Sequence, residues 1–81
     1  MKAEVIKEKI ENKLTNCTAM IETDDTVHFD ATIICDEFNN IKNPVKRQQL
    51  IFDIIGEYIS LGEIHAFSMK TFSKQEYNKY K

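Results

Sequence analysis

Eighty-one residues, 42% hydrophobic with two glycines and one proline, imply one globular domain and exclude a second domain, a low-complexity chain and a roomy enclosed cavity. A net charge of −2 excludes the strongly basic body suited to nonspecific nucleic-acid binding. That charge is uneven, because residues 1–40 carry nine acids and four bases while residues 41–81 carry four acids and seven bases.

In chain order, residues 2–14 are predicted to form a helix, since Val5, Ile6, Ile10 and Leu14 recur at three- and four-residue steps among Lys and Glu. Residues 17–23 alternate as a strand with Cys17, Ala19 and Ile21 on one face. A polar turn over residues 23–26 leads to a second strand over 27–35, with Phe29, Ala31, Ile33 and Cys35 inward and His28, Asp30 and Thr32 outward. The two make an antiparallel hairpin. Asn43 is placed to cap the next helix and Pro44 fits its first turn. That helix runs to about Ser60 with Ile51, Ile54, Ile55, Tyr58 and Ile59 as its buried stripe, and Gly62 caps its end. Gly56, inside it, is expected to mark close packing. A third strand covers 64–72, and Ser73-Lys74-Gln75-Glu76 is a capping box that opens a final helix. The fold class is α/β (α+β), in the order α-β-β-α-β-α. A strand–helix–strand crossover makes its strands parallel, so the three-stranded sheet is mixed, with helices expected on one face.

No segment approaches the roughly 18–20 apolar residues of a membrane span, and charges interrupt residues 1–8 too often for a signal peptide. Cys17 and Cys35 lack metal or redox spacing, and a small secreted domain usually carries more bridges, so they are expected to be reduced core thiols of a soluble cytoplasmic protein.

Chemistry is sparse. No nucleophile–base set and no glycine-rich phosphate loop stands out, so the domain is expected to bind partners and not to be an enzyme. The acid pairs Asp24-Asp25 and Asp36-Glu37 read as solvated strand ends. His65 shares the parity of Phe67 and Met69, which by itself suggests a packed or capping histidine. His28, opposite in parity to Phe29, is expected to be partly exposed. Lys42, Lys46, Arg47, Gln48 and Gln49 flank or open the middle helix. They are the candidate nucleic-acid contacts, since Arg and Gln can hydrogen-bond purine edges and a helix N-terminus favours phosphate, although a solvated first turn has the same composition.

Val45-Lys46-Arg47-Gln48-Gln49-Leu50-Ile51-Phe52, followed by Ile64-His65-Ala66-Phe67-Ser68-Met69-Lys70, resembles the BolA family, in particular the branch with Gln-Gln at the middle helix start. Asp25-Thr26-Val27-His28-Phe29 loosely resembles the family's Asp-Gly-Ser-His-Phe pattern. Glu37-Phe38 and Ser73-x-x-Glu76-Tyr77 fit later landmarks. The resemblance covers nearly the whole chain, and Ile64-His65-Ala66 is its most specific element. The chain departs from the family pattern with Asn39-Asn40 in place of a glycine, Tyr77 in place of tryptophan and Thr26-Val27 in place of Gly-Ser.

The resemblance implies one domain over residues 1–81 with a fold like the type II KH domain. It implies a monothiol glutaredoxin as partner and a [2Fe–2S] cluster shared between the two proteins. The glutaredoxin cysteine and glutathione hold one side, and His65 is a ligand on the other. The second ligand varies within the family and comes from the hairpin loop. His28 is preferred over Asp25 or Thr26 because imidazole suits such an iron better. Alone, the domain is expected to be a monomer without cofactor. The family is also described as DNA-binding transcriptional regulators, which makes DNA the alternative partner. However, the Gly-x-x-Gly loop of a KH domain is missing.

Overall fold

The computed structural model describes all residues, 1–81. Helix α1 (Ala3–Lys13) is followed by strands β1 (Cys17–Glu22) and β2 (His28–Cys35), a 3₁₀ turn (Asp36–Asn39), helix α2 (Pro44–Ser60), strand β3 (Ala66–Phe72) and helix α3 (Lys74–Tyr80). The sheet order is β1-β2-β3. β1 and β2 are antiparallel, with Glu22 opposite Asp30, and β2 and β3 are parallel, with His28 opposite Ala66 and Ile34 opposite Phe72. The mixed three-stranded sheet of the sequence analysis is therefore observed.

Alternation along the strands sends Ala19, Phe29, Ala31, Ile33 and Phe67 to one face, where they meet Ile6 and Ile10 of α1 and Ile51 and Ile55 of α2 in one core. Side chains of α1 engage the backbone of one residue, Ala19, on the open edge of β1. Lys7 donates to the Ala19 carbonyl at 2.8 Å, and Glu11 accepts the Ala19 N–H at 2.9 Å. The Ala19 N–H and carbonyl, which would otherwise help template strand addition, are thereby occupied.

The ends of α2 follow the sequence closely. The Asn43 side chain accepts from the N–H groups of Val45 and Lys46. At the far end Gly62 has φ +76°. Its N–H donates to Ile59, and that of Glu63 to Tyr58. Together they form the reversed-bond cap that a left-handed glycine allows.

Five expectations are corrected. Cys17 and Cys35 are not separate thiols. They face each other across the hairpin with Cα atoms 4.1 Å apart and form a disulfide. Both are nine residues from Thr26, so pairing follows from the hairpin register and not from any short spacing. Gly56 does not mark close packing, because a Cβ placed there would meet nothing within 4 Å. Val5 and Ile59 are exposed at helix flanks turned from the core. β3 begins at Ala66 and not at residue 64. Lastly, α3 does not join the other helices. Tyr77 and Tyr80 pack on Phe72, with ring centroids 5.5 and 4.9 Å away, and Phe72 has the strand parity opposite to Phe67, so α3 covers the end of the other face.

Candidate metal-ligand site

The parallel pairing of β2 with β3 is what brings the two histidines together. His28 opens β2, and its register partner Ala66 opens β3. His65, one residue earlier, donates its backbone N–H to the Val27 carbonyl at 2.8 Å, and Ala66 shares that acceptor at 3.3 Å. Thirty-seven residues apart in sequence, the two imidazoles stand edge to face with centroids 5.9 Å apart. Both residues are exposed. His65 escapes the core although its parity matches Phe67, because it precedes the strand and parity does not extend past the strand's first residue. The neighbouring Ile64 is buried and anchors the segment.

The hairpin turn orients His28. One oxygen of Asp25, Oδ1, accepts the backbone N–H of Val27 at 3.0 Å and of His28 at 2.8 Å. The other, Oδ2, lies 2.6 Å from His28 Nδ1. Hydrogen bonds from the backbone of His28 and Val27, then from the His28 ring, hold the Asp25 carboxyl well below the usual carboxylate range. An ionised carboxylate only accepts, so the ring proton of neutral His28 resides on Nδ1 and Nε2 presents its lone pair to solvent. Carboxylate partners fix the tautomer of metal-bound histidines in this manner. Asp25, offered by the sequence as a possible ligand, is thus committed to the turn. Its Asp-x-x-His spacing was the overlooked signal, since a turn aspartate commonly accepts N–H groups two and three residues on.

Thr26, the other loop alternative, carries φ +65°, a region where a β-branched residue is strained. Its hydroxyl donates to the Asp25 carbonyl. The family pattern has glycine at this turn position, which would adopt the same backbone freely. Beside His28 an open depression of about 360 Å³ is lined in part by Glu22, Asp24, Asp30 and Ser68. These acids repel phosphate, so this end of the domain does not suit a nucleic-acid backbone.

The second candidate patch lies at the opposite end, where α2 begins. Lys42, Lys46, Gln48 and Gln49 are exposed there, but Arg47 is 4% exposed and turned inward. Its guanidinium donates to the carbonyls of Phe38, Ile41 and Thr71 and forks onto both oxygens of Glu76, at 2.8 and 3.2 Å. These bonds engage all five of its donors. Arg47 is therefore removed from the nucleic-acid patch. It clamps the 3₁₀ turn, α2, β3 and α3 together, a role invisible in sequence because Glu76 is twenty-nine residues away.

Residues 2–76 match the family described as "BolA-like protein". An uncharacterized protein of Buchnera aphidicola subsp. Baizongia pistaciae is 39% identical over 72 residues, 89% of each chain. Among solved structures, a bolA protein homologue from Coxiella burnetii superposes with a TM-score of 0.81 at 29% identity, over 96% of this chain and 97% of that one. BolA1 from Arabidopsis thaliana gives 0.79 at 29% identity, over 91% and 93%. Sequence match and shared architecture agree over nearly the full length, and the chain belongs to the BolA family.

Proposed function

We propose that this domain is a non-catalytic partner of a monothiol glutaredoxin, and that the two proteins share a [2Fe–2S] cluster for iron–sulfur trafficking or iron-linked regulation. The observation that carries the proposal is the pair of exposed imidazoles at 5.9 Å, with His28 held by Asp25. Two imidazoles on one iron of a [2Fe–2S] cluster is an established ligand arrangement. Metal–nitrogen bonds of about 2.0–2.1 Å place two rings on one tetrahedral ion with centroids roughly 5–6 Å apart. The donor set therefore fits, with His65 and His28 as this chain's ligands. It is also only half of a four-ligand requirement, which is why a second protein is needed. When bound, the cluster supplies exchangeable iron and sulfide or an iron-dependent signal. This chain's own part is to present two neutral imidazoles in fixed orientation and to leave one side open for the glutaredoxin cysteine and glutathione.

The test is anaerobic iron–sulfur reconstitution of the wild-type domain with a monothiol glutaredoxin. A stable heterocomplex whose visible charge-transfer spectrum differs from that of the glutaredoxin alone supports the proposal. Unchanged glutaredoxin spectra at every mixing ratio contradict it. The DNA alternative gains no support from the site, because its guanidinium is withdrawn into the domain.

A further inference from the structure

The hairpin carries its covalent link at the end away from its turn. Cys17, the first residue of β1, and Cys35, the last of β2, form the terminal register pair and are disulfide-bonded. No backbone hydrogen bond supports that pair. Ala19 turns both its carbonyl and its N–H outward, to Lys7 and Glu11, and Cys17, two residues earlier, has the same backbone direction. Cys17 and Cys35 are therefore a narrow, non-hydrogen-bonded pair, joined through side chains alone. Backbone bonding begins at the next pair, Thr18 with Ile34. Past the disulfide, Asn16 Nδ2 donates to Asp36 at 2.9 Å, an exposed bond for which water competes. The sulfur–sulfur bond thus decides whether this end of the hairpin is closed or frays.

The two sulfurs differ in access. Cys35 is fully buried in the core, whereas Cys17 is half-buried on an edge strand between the exposed residues Asn16 and Thr18. Access helps select which sulfur an attacking thiolate meets. We propose that this disulfide is a reversible modification site, opened at Cys17 by a low-molecular-weight thiol of the glutathione class. The thiolate of a first glutathione bonds to Cys17 Sγ, and the Cys17–Cys35 bond breaks with its electron pair on Cys35 Sγ. A second glutathione thiolate attacks the glutathione sulfur of the mixed disulfide and releases Cys17 as a thiolate. Two glutathiones are oxidised to one glutathione disulfide, and the two protons they give up end on Cys17 and Cys35. The same steps in reverse close the link. Both forms are folded, because five further register pairs hold the hairpin and a buried thiol packs as a small apolar side chain. The site lies at the far end of β2 from His28, so it is independent of the glutaredoxin reading.

The oxidised domain, incubated anaerobically with reduced glutathione, quenched by alkylation and mapped by mass spectrometry, tests the site. Reduction should be first order in glutathione and nearly indifferent to urea below the unfolding transition, since the native sulfur is attacked directly. Any mixed disulfide trapped should be on Cys17. Cys35→Ser treated with glutathione disulfide should take up one glutathione, and Cys17→Ser none. The reduced wild type should keep its circular dichroism spectrum. Its ratio of folded to unfolded chains should fall by about a hundredfold, as expected on opening a loop closed by residues 18 apart. Amide exchange should quicken more at Thr18 and Ile34 than at the next bonded pair, Met20 and Thr32. A reduction rate that climbs with urea in step with global unfolding overturns the proposal. Glutathione found on Cys35 of the folded domain, no reduction at any glutathione concentration, or loss of the circular dichroism spectrum on reduction overturns it equally.

Discussion

Replacing Arg47 with alanine measures how much of the domain hangs on one buried guanidinium. The substitution strips donors from the carbonyls of Phe38, Ile41 and Thr71 and removes the fork on Glu76. A buried acceptor left without a donor costs about 1–3 kcal/mol, and here the Phe38 carbonyl bond is the fully buried one. The ion pair adds less than a buried pair would, because the Glu76 side chain is 41% exposed and screened by solvent. A loss of about 3 kcal/mol is expected, read as a shift in the urea midpoint. The neighbouring Lys46→Ala should change stability by less than about 0.5 kcal/mol. Arg47→Lys should fall between, since an ammonium cannot fork onto two oxygens while reaching three carbonyls. The penalty should also depend on pH. Hydrogen bonding from Arg47, then from the Ser73 backbone, lowers the Glu76 carboxyl from 4.5 to about 2 in the folded state. A group depressed on folding stabilises above its unfolded pKa and loses that contribution as pH falls through the folded one. The difference between wild type and Arg47→Ala should thus be full near neutrality and shrink between about 4.5 and about 2. Equal losses for Arg47→Ala and Lys46→Ala would refute the clamp and return the guanidinium to the surface.

Three further outcomes follow from the geometry. Ile55→Ala empties a fully buried position under α2 and should cost about 2–5 kcal/mol in the same titration; a cost like that of Lys46→Ala would mean α2 is turned differently. Gly56→Ala adds a methyl into open space and should stabilise the monomer by about 0.5–1 kcal/mol, with a fall in melting temperature contradicting the observed vacancy. Thr26→Gly removes a β-branched side chain from φ +65° and should gain up to about 1 kcal/mol by thermal melting; destabilisation would mean the turn does not hold Thr26 in that conformation.

Local chemistry made much of this fold legible in the sequence. Asn43-Pro44 and Gly62 bound α2, Ser73 and Glu76 bound the start of α3, and the alternation of Phe29, Ala31 and Ile33 assigned the inner face of β2. These are interactions between residues within a few positions of each other, and the local order of residues carries them. What was not legible depends on register and long-range docking. The Cys17–Cys35 bond needs the hairpin centre fixed at Thr26, and the Arg47–Glu76 fork needs α3 folded back beside the start of α2. The exposure of His65 needs β3 to start at Ala66. The nearness of His65 to His28 was reachable only through family resemblance, since it arises from parallel pairing of strands separated by a whole helix. Asp25 was closer to hand, but its three bonds matter only once His28 is known to face solvent beside it.

The central claim concerns the His65 and His28 imidazoles, and His65→Ala tested with a monothiol glutaredoxin addresses it most directly. His65 is exposed, so its removal should leave the fold and its denaturation midpoint nearly unchanged. After anaerobic reconstitution the heterocomplex should show an altered charge-transfer spectrum and lose its cluster faster than wild type, while the two apo-proteins can still associate. His28→Ala should act in the same direction. A His65→Ala complex with the wild-type spectrum and the wild-type cluster lifetime would contradict the ligand assignment and leave the two histidines as turn residues only.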